Sequence, residues 1–228
     1  MSDYLLFAIL PYVALALFFV VSITRYRKNA FVFSSLSSQF LENKQHFWST
    51  VPFHYGLIGV LIIHLIGLLI PDTLLWWNSV PARLVVLELT GLALALIGIV
   101  GLGMAMMRRL NVRTVAVVTT TSDWVILVMT MVQMLLGVLV AVNHGWGSSW
   151  FASSASPYLW SIFSLDPNIA YVAAMPLLVK LHIINAWLII AYFPFTRLLH
   201  VLVAPFPYLW RKRQVVLWND NRKTKRIP

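Results

Sequence analysis

The chain has 228 residues, of which 60% are hydrophobic and 11% are charged, with a formal net charge of +10. Soluble domains are typically about 45–50% apolar and roughly 25% charged, so this composition excludes an ordinary soluble domain. The chain has no cysteine, which excludes disulfides, thiolate zinc sites, iron–sulfur clusters and covalently attached c-type haem within it.

Five apolar stretches predict an all-α membrane protein, because each approaches the roughly 20 residues that a helix needs to cross a bilayer. Pro52 and Pro71 are expected to bracket the second stretch, and Thr119 to Asp123 offer N-cap oxygens to the fourth. We interpret residues 1–228 as a single membrane domain that ends in a basic tail, residues 205–228. The predicted spans are residues 4–23, 53–70, 84–107, 124–142 and 177–204.

The first stretch is predicted to be a retained span and not a signal peptide. Asp3 is the only charged residue before it, and no small-residue cleavage site follows.

The basic residues predict how the five spans are oriented. Fourteen of the 17 Lys and Arg residues fall in the first loop, the third loop and the tail, whereas the opposite side carries only Arg83 in its loops. By the positive-inside rule, the N-terminus is expected outside and the C-terminus in the cytoplasm. The excess positive charge is therefore assigned to orientation and contact with anionic lipid, and nucleic acid is not an expected partner.

Four histidines lie inside predicted spans, where an ionisable side chain is costly and indicates function. His54 and His64 lie in the second span, and His182 and His200 lie in the fifth. One such histidine would equally suit a neutral side chain bonded to a neighbouring helix; four on two helices favour a shared role.

Depth in the membrane sorts these histidines into two pairs. Because the two spans run in opposite directions, His64 and His182 are expected near the outer surface, and His54 and His200 near the inner one. The 18 residues between His182 and His200 would make five turns of a continuous helix, which puts both on one face. Their axial separation of about 27 Å exceeds the roughly 15 Å between His54 and His64. Tilt, a kink at Pro194 or haem planes that span part of the difference must absorb the gap.

Two imidazoles from facing helices are the ligand set of a six-coordinate b-type haem, so the sequence predicts two haems. Lys180 and Arg197 flank the ligands and are candidates to neutralise haem propionates, although snorkelling to the interface accounts for them equally well.

Glycines on the second and third spans are attributed mainly to close helix packing. The aromatic residues between the fourth and fifth spans, Tyr158 among them, are interpreted as an interfacial belt.

The chain resembles the cytochrome b (gamma) subunit of membrane-bound respiratory nitrate reductase over nearly its whole length. The most specific stretch is residues 193–200, FPFTRLLH, supported by KLH at 180–182. Further similarity lies in SSQFLENK at 37–44, in FH at 53–54 with His64 and Pro71, in RRL at 108–110 and in the run from Thr119 to Asp123.

The resemblance implies an outer haem on His64 and His182, an inner haem on His54 and His200, and a quinol site beside the outer haem. It also implies electron transfer inward to an iron–sulfur beta subunit and then to a molybdenum-cofactor alpha subunit that reduces nitrate, in a bacterial or archaeal cytoplasmic membrane. Arg83 stands where family members carry a lysine at the quinol site. Glu88 is a candidate proton acceptor there, with a structural ion pair to Arg83 or Lys180 as the alternative.

Two other assignments stay open from the sequence. One is the related haem b subunit of a sulfite-reductase-associated or heterodisulfide-reductase-type complex. The other, from a different class, is a non-redox membrane channel or assembly protein whose histidines handle protons or metal ions.

Overall fold

A computed structural model describes residues 2–28 and 46–203, and every regular element in these ranges is helical. The helix α1 (Ser2–Lys28) contains one π-helical turn, Leu5–Ile9. The following helices are α2 (His46–Leu69), α3 (Pro71–Asn78), α4 (Pro81–Asn111), α5 (Arg113–Ala116), α6 (Thr121–Asn143), α7 (Gly147–Trp150), α8 (Ser156–Phe163), α9 (Ala170–Ala173) and α10 (Leu177–Tyr192).

Five of these segments are long and apolar enough to cross a membrane: α1, α2, α4, α6 and the segment Leu177–Phe195, which begins with α10. The prediction of a five-span, all-helical protein is therefore confirmed for the described residues. At the start of α6, Thr120 and Asp123 form the expected capping box. Pro71 begins α3, as a residue without a main-chain N–H can do at the first turn of a helix.

The prediction that Pro52 precedes the second span was wrong, because α2 begins six residues earlier and includes it. Pro52 lies in the second turn of α2, where its missing N–H removes one helical hydrogen bond. The neighbouring backbone at Phe53 packs closely against Gly101 of α4. Packing against α4 therefore keeps α2 helical at Pro52, although proline would disrupt an isolated helix.

The long helices pack in the order α2–α4–α6–α10–α1, with α2 against α4 the most extensive contact. Glycine is required in that contact, because a Cβ on Gly56 would lie 2.5 Å from both the Gly98 nitrogen and the Leu94 oxygen. This confirms that small residues here serve helix packing. The two histidine-bearing segments, α2 and α10, are not neighbours in this order.

Polar contacts tie the bundle together at both ends. At one end, here named the Asp3 end, the Lys180 ammonium lies 3.2 Å from the Asp3 carboxylate. At the opposite end, named the Arg197 end, the Arg197 guanidinium lies 3.1 Å from the Asp123 carboxylate. Residues 29–45, where most of the loop between the first two spans was predicted, and the basic tail, residues 205–228, lie outside the described residues. The orientation of the bundle therefore stays a prediction.

The fifth span is not one continuous helix, and it breaks at Pro194, where a kink was one of the expected alternatives. α10 ends at Tyr192, a 3₁₀ turn follows at Phe193–Phe195, and Thr196 is extended with φ −116° and ψ 174°. A second 3₁₀ segment, Arg197–Val203, then carries His200. Pro194 cannot donate to a helical carbonyl, and the Thr196 hydroxyl instead accepts from the Leu198 N–H at 3.1 Å. The argument that His182 and His200 share one helix face therefore fails.

The segment between α6 and α10 is folded into the bundle. Tyr158 is completely buried and donates its hydroxyl to the Phe7 carbonyl at 2.8 Å. Burial raises the pKa of Tyr158 above its ordinary value, so the hydroxyl stays protonated and able to donate. The interpretation of Tyr158 as part of an interfacial belt was wrong, since its ring belongs to the core around α1, α8 and α10.

Candidate functional site

His64 and His182 meet near the Asp3 end of the bundle. His64 lies in the last third of α2 and His182 in the second turn of α10, and the two helices run antiparallel. Their ring centroids are 6.3 Å apart with 34° between the ring planes. The edge of the Phe151 ring packs against His64 at 5.2 Å. The two rings therefore approach each other from α2 and α10, although these helices are not direct neighbours in the packing order.

The distance of 6.3 Å between the two ring centroids is close to that of two imidazoles bound to one metal ion. A metal–imidazole bond is about 2 Å long, as it is for zinc. A five-membered ring with bonds near 1.33 Å has a radius of about 1.1 Å, which brings two ligating ring centres to roughly 6 Å apart. The distance of 6.3 Å between the His64 and His182 rings is therefore close to the value expected for two imidazoles that share one iron.

Three of the four histidines are held in the tautomer that metal binding requires. In each, Nδ1 lies 2.7–2.8 Å from a main-chain carbonyl oxygen three or four residues earlier. A carbonyl oxygen only accepts, so Nδ1 carries the hydrogen and Nε2 keeps a free lone pair. The pairs are His54 with Thr50, His64 with Val60, and His200 with Arg197.

His182 is held differently from the other three. Its Nδ1 is buried without a hydrogen-bond partner among the described residues, and its Nε2 lies 3.2 Å from the Gln133 side-chain nitrogen. Asn185 donates to the Gln133 side-chain oxygen at 2.8 Å and to the Met129 carbonyl at 3.0 Å. Gly137 leaves room for the ring, because a Cβ there would lie 3.2 Å from His182 Cε1.

His54 and His200 both lie at the Arg197 end, but among the described residues no ring contact joins them. His54 packs edge-on against Phe53 at 5.1 Å, and His200 is carried by the 3₁₀ segment after the break. Within residues 2–28 and 46–203, no three His, Asp or Glu side chains converge on a metal-sized site. A haem iron takes only two ligands from the protein, so pairs of histidines are the relevant arrangement.

Arg83 lies at the Asp3 end between two indole rings. Its guanidinium carbon is 4.8 Å from the Trp76 ring centroid and 5.3 Å from that of Trp77. The Trp77 indole N–H donates to the Arg83 carbonyl at 3.2 Å. The Arg83 Nε is buried and has no acceptor among the described residues. Arg83 therefore carries a planar guanidinium that lies beside two aromatic rings.

Glu88 accepts hydrogen bonds from Ser148, with its Oε1 atom 3.2 Å from the Ser148 nitrogen and 3.0 Å from the hydroxyl. Asn78 also donates to the Ser148 hydroxyl, at 3.0 Å. The ion pair of Glu88 with Arg83 or Lys180, which was the alternative to a proton-acceptor role, is absent among the described residues, and Lys180 instead pairs with Asp3. Glu88 thus anchors α7, the short helix that leads to Phe151.

Arg197 has local partners at its own end of the bundle. Besides Asp123, it donates to the Val118 carbonyl at 2.7 Å. Ser122 donates to the Phe195 carbonyl at 2.9 Å, and Arg25 donates to the Pro194 carbonyl. These contacts fix the break between α10 and the segment that carries His200.

Comparison with known proteins identifies the family. A family model described as nitrate reductase gamma subunit matches residues 3–219. This chain belongs to the nitrate reductase gamma subunit family. It is 32% identical to the respiratory nitrate reductase 2 gamma chain of Escherichia coli (strain K12), over 91% of this chain and 93% of the relative. It is 30% identical to the nitrate reductase gamma chain of Bacillus subtilis (strain 168), over 92% of this chain and 96% of the relative.

Membership of the gamma subunit family confirms the resemblance drawn from the sequence. The chain is a multi-pass membrane protein and one subunit of a nitrate reductase, an oxidoreductase complex, which implies further subunits. The nitrate reductase-like protein NarX of Mycobacterium tuberculosis is 28% identical, but this chain covers only 33% of its length.

Sequence reasoning missed three side chains around the histidine pair of this gamma subunit: Phe151, Gln133 and Asn185. All three side chains are uncharged, so the pattern of ionisable residues within the spans does not include them. An uncharged amide inside an apolar span is also costly, so Gln133 and Asn185 carried a usable signal. Phe151 had none, because its position depends on how the segment after α6 folds back against α2.

Proposed function

We propose that this chain is a di-haem b-type cytochrome that oxidises quinol near the outer membrane surface and passes the electrons inward. The receiving partners are an iron–sulfur beta subunit and a molybdenum-cofactor alpha subunit that reduces nitrate. The observation that carries the proposal is the distance of 6.3 Å between the His64 and His182 rings. Two b-type haems would supply one-electron acceptors at two depths in the membrane.

The assignment of ligands follows from the two ends of the bundle. His64 and His182 would hold the haem at the Asp3 end, and His54 and His200 the haem at the Arg197 end. The main-chain carbonyls bound to Nδ1 of three of these histidines fix the ring orientation and make Nε2 a better ligand. Lys180 and Arg197 remain candidates for the propionates, although each already has a carboxylate partner.

The proposed quinol site uses Arg83 as its donor. The guanidinium would donate to a quinol oxygen, while Trp76 and Trp77 keep it in place. A quinol also releases two protons as it is oxidised. Glu88 is the proposed acceptor, since its carboxylate is half-buried and exchangeable hydroxyl protons of Ser148 lie beside it. The proposed setting is the cytoplasmic membrane of a bacterium or archaeon.

The test is a reduced-minus-oxidised visible spectrum of the chain purified with its partners. We expect b-type bands from two haems. His64→Ala and His182→Ala should remove one and the same haem, and His54→Ala and His200→Ala the other, because each haem needs both its ligands. His144→Ala is the matched control, since His144 caps the end of α6 outside the proposed pairs and should keep both haems.

Absence of b-type bands from wild-type protein produced with adequate haem would overturn the proposal. Loss of a different haem in His64→Ala than in His182→Ala would overturn the pairing.

A further inference from the structure

We infer that Phe151 is a positioning residue that holds the His64 ring for the outer haem, and that Gly67 makes room for it. The inference rests on the proposed ligation by His64. The Phe151 and His64 ring centroids are 5.2 Å apart, with 81° between the ring planes. An aromatic pair in this geometry is worth about 0.5–1.5 kcal/mol beyond the area that it buries, which is enough to favour one orientation of the imidazole.

Phe151 lies beside His64 and not between the two ligating rings. The His64 and His182 centroids are 6.3 Å apart, so a ring placed between them would contact both. Within residues 2–28 and 46–203, no ring contact joins Phe151 to His182. The contact of Phe151 with His64 is therefore compatible with an iron shared by the two imidazoles, and ligation need not break it.

Gly67 is the reason that the phenyl ring fits at this place. It lies three residues after His64 on α2, so both residues share one face of the helix. A Cβ on Gly67 would lie 2.8 Å from both Cδ1 and Cε1 of Phe151, which is closer than side-chain atoms approach. Any other residue at position 67 would therefore displace the phenyl ring from its contact with His64.

The backbone on both sides of Phe151 is attached to other helices by hydrogen bonds. Before it, the Asn78 side chain on α3 donates to the Ser148 hydroxyl at 3.0 Å. After it, the Trp160 indole N–H donates to the Leu68 carbonyl of α2 at 2.8 Å. The fold thus sets the position of the Phe151 ring independently of the imidazole, as a positioning role requires.

A phenyl ring in this position has two effects on a haem ligand. It limits rotation of the imidazole, which fixes the plane of the ring relative to the porphyrin. It also keeps water away from the ligand near the membrane surface. Water beside a haem stabilises the ferric state, which carries one more positive charge than the ferrous state, so its exclusion raises the midpoint potential.

The experiment compares the two haems of the full chain, purified with its partners, by low-spin EPR and by redox titration. The test variants are Phe151→Ala, Gly67→Ala and the double variant. Phe163→Ala is the control for the phenyl ring, because Phe163 is 50% exposed and its ring packs against Trp160 at 6.2 Å. Gly103→Ala is the control for the glycine, because a Cβ there would have no atom within 4 Å.

Phe151→Ala should lower the equilibrium constant for reduction of the outer haem about three- to ten-fold. A ten-fold change equals about 59 mV in midpoint potential for one electron. The outer EPR signal should shift as well, because the imidazole plane is no longer fixed. Gly67→Ala should also shift the outer signal but add nothing in the Phe151→Ala background, since it acts through the displaced phenyl ring. The inner haem and both controls should match wild type.

An outer haem in Phe151→Ala that equals wild type in both readouts would overturn the inference. So would a Gly67→Ala effect that persists in full in the double variant, because it would then arise from α2 itself. Equal shifts in both haems would also overturn it, since they indicate a general packing defect. Wild-type protein without b-type bands would instead overturn the proposed function.

Discussion

At the scale of single residues, the proposed donor role of Arg83 depends on how its side chain is held. Two indole rings hold its guanidinium and leave its Nε without an acceptor among the described residues. An arginine in this setting differs from a lysine, because a planar group can stack and donate in a fixed direction while an ammonium cannot. This geometry is the reason to expect a specific effect on quinol when Arg83 is changed.

We predict that Arg83→Ala lowers kcat/KM for quinol by about ten- to a hundred-fold, the equivalent of one hydrogen bond from a charged donor. Both haem spectra should persist, since Arg83 does not contact the histidines. Arg83→Lys should retain part of the activity, because it keeps the charge but not the planar donor. The measurement is steady-state quinol oxidation in detergent-purified complex. Turnover equal to wild type in Arg83→Ala would rule out the donor role.

Glycine at position 137 gives a second test at the residue scale. A methyl group on Gly137 would sit 3.2 Å from His182 Cε1, so the imidazole must move by a few tenths of an ångström. We predict that Gly137→Ala shifts the midpoint potential and EPR signal of the outer haem alone. Gly103→Ala is the matched control, because no atom lies within 4 Å of its virtual Cβ. Identical spectra in the two variants would contradict the prediction.

At the scale of whole elements, hydropathy and charge predicted the five spans, but hydrogen bonding decided where they end. The fifth apolar stretch continues without interruption to residue 204, so hydropathy alone predicted one helix. The helix stops at Tyr192 because Pro194 lacks an N–H and the Thr196 hydroxyl caps a new segment. Conversely, Pro52 lies within α2, because tertiary packing against α4 outweighs a single lost hydrogen bond.

The sequence likewise predicted only part of the histidine site. Antiparallel spans place His64 near His182, and the structure brings these two rings together. The tautomer of each imidazole depends on atoms that only the folded backbone positions, so no spacing rule could supply it. The same holds for Gln133, whose contact with His182 depends on how α6 packs against α10.

The break after α10 leads to a prediction about the inner haem. Thr196 donates to the Phe193 carbonyl at 2.8 Å and accepts from the Leu198 N–H at 3.1 Å, which fixes the start of the segment that carries His200. Thr196→Val keeps the β-branched shape but loses both bonds, at a cost of about 1–2 kcal/mol. We expect a weakened inner haem with the outer haem unchanged, measured by redox titration. An effect confined to the outer haem would refute this account of the break.

At the scale of the whole molecule, the orientation of the bundle decides whether the proposed chemistry conserves energy. If the Asp3 end faces outward, quinol protons leave on that side while electrons move inward. Moving one charge across the membrane is worth about 2.3 kcal/mol per 100 mV, so reversed orientation would reverse the sign of this contribution. The placement of Lys and Arg along the sequence is the basis for the predicted direction.

Because the chain has no cysteine, single cysteine substitutions can test this orientation without background. Leu165 follows α8 at the Asp3 end and Val117 follows α5 at the Arg197 end, and both are 78% exposed. A membrane-impermeant thiol reagent should label Leu165→Cys in intact cells and Val117→Cys only after the membrane is opened, since positive loops remain in the cytoplasm. Labelling of Leu165→Cys only in opened cells would place the proposed quinol site on the cytoplasmic side, and the charge transfer argued above would then run in the opposite direction.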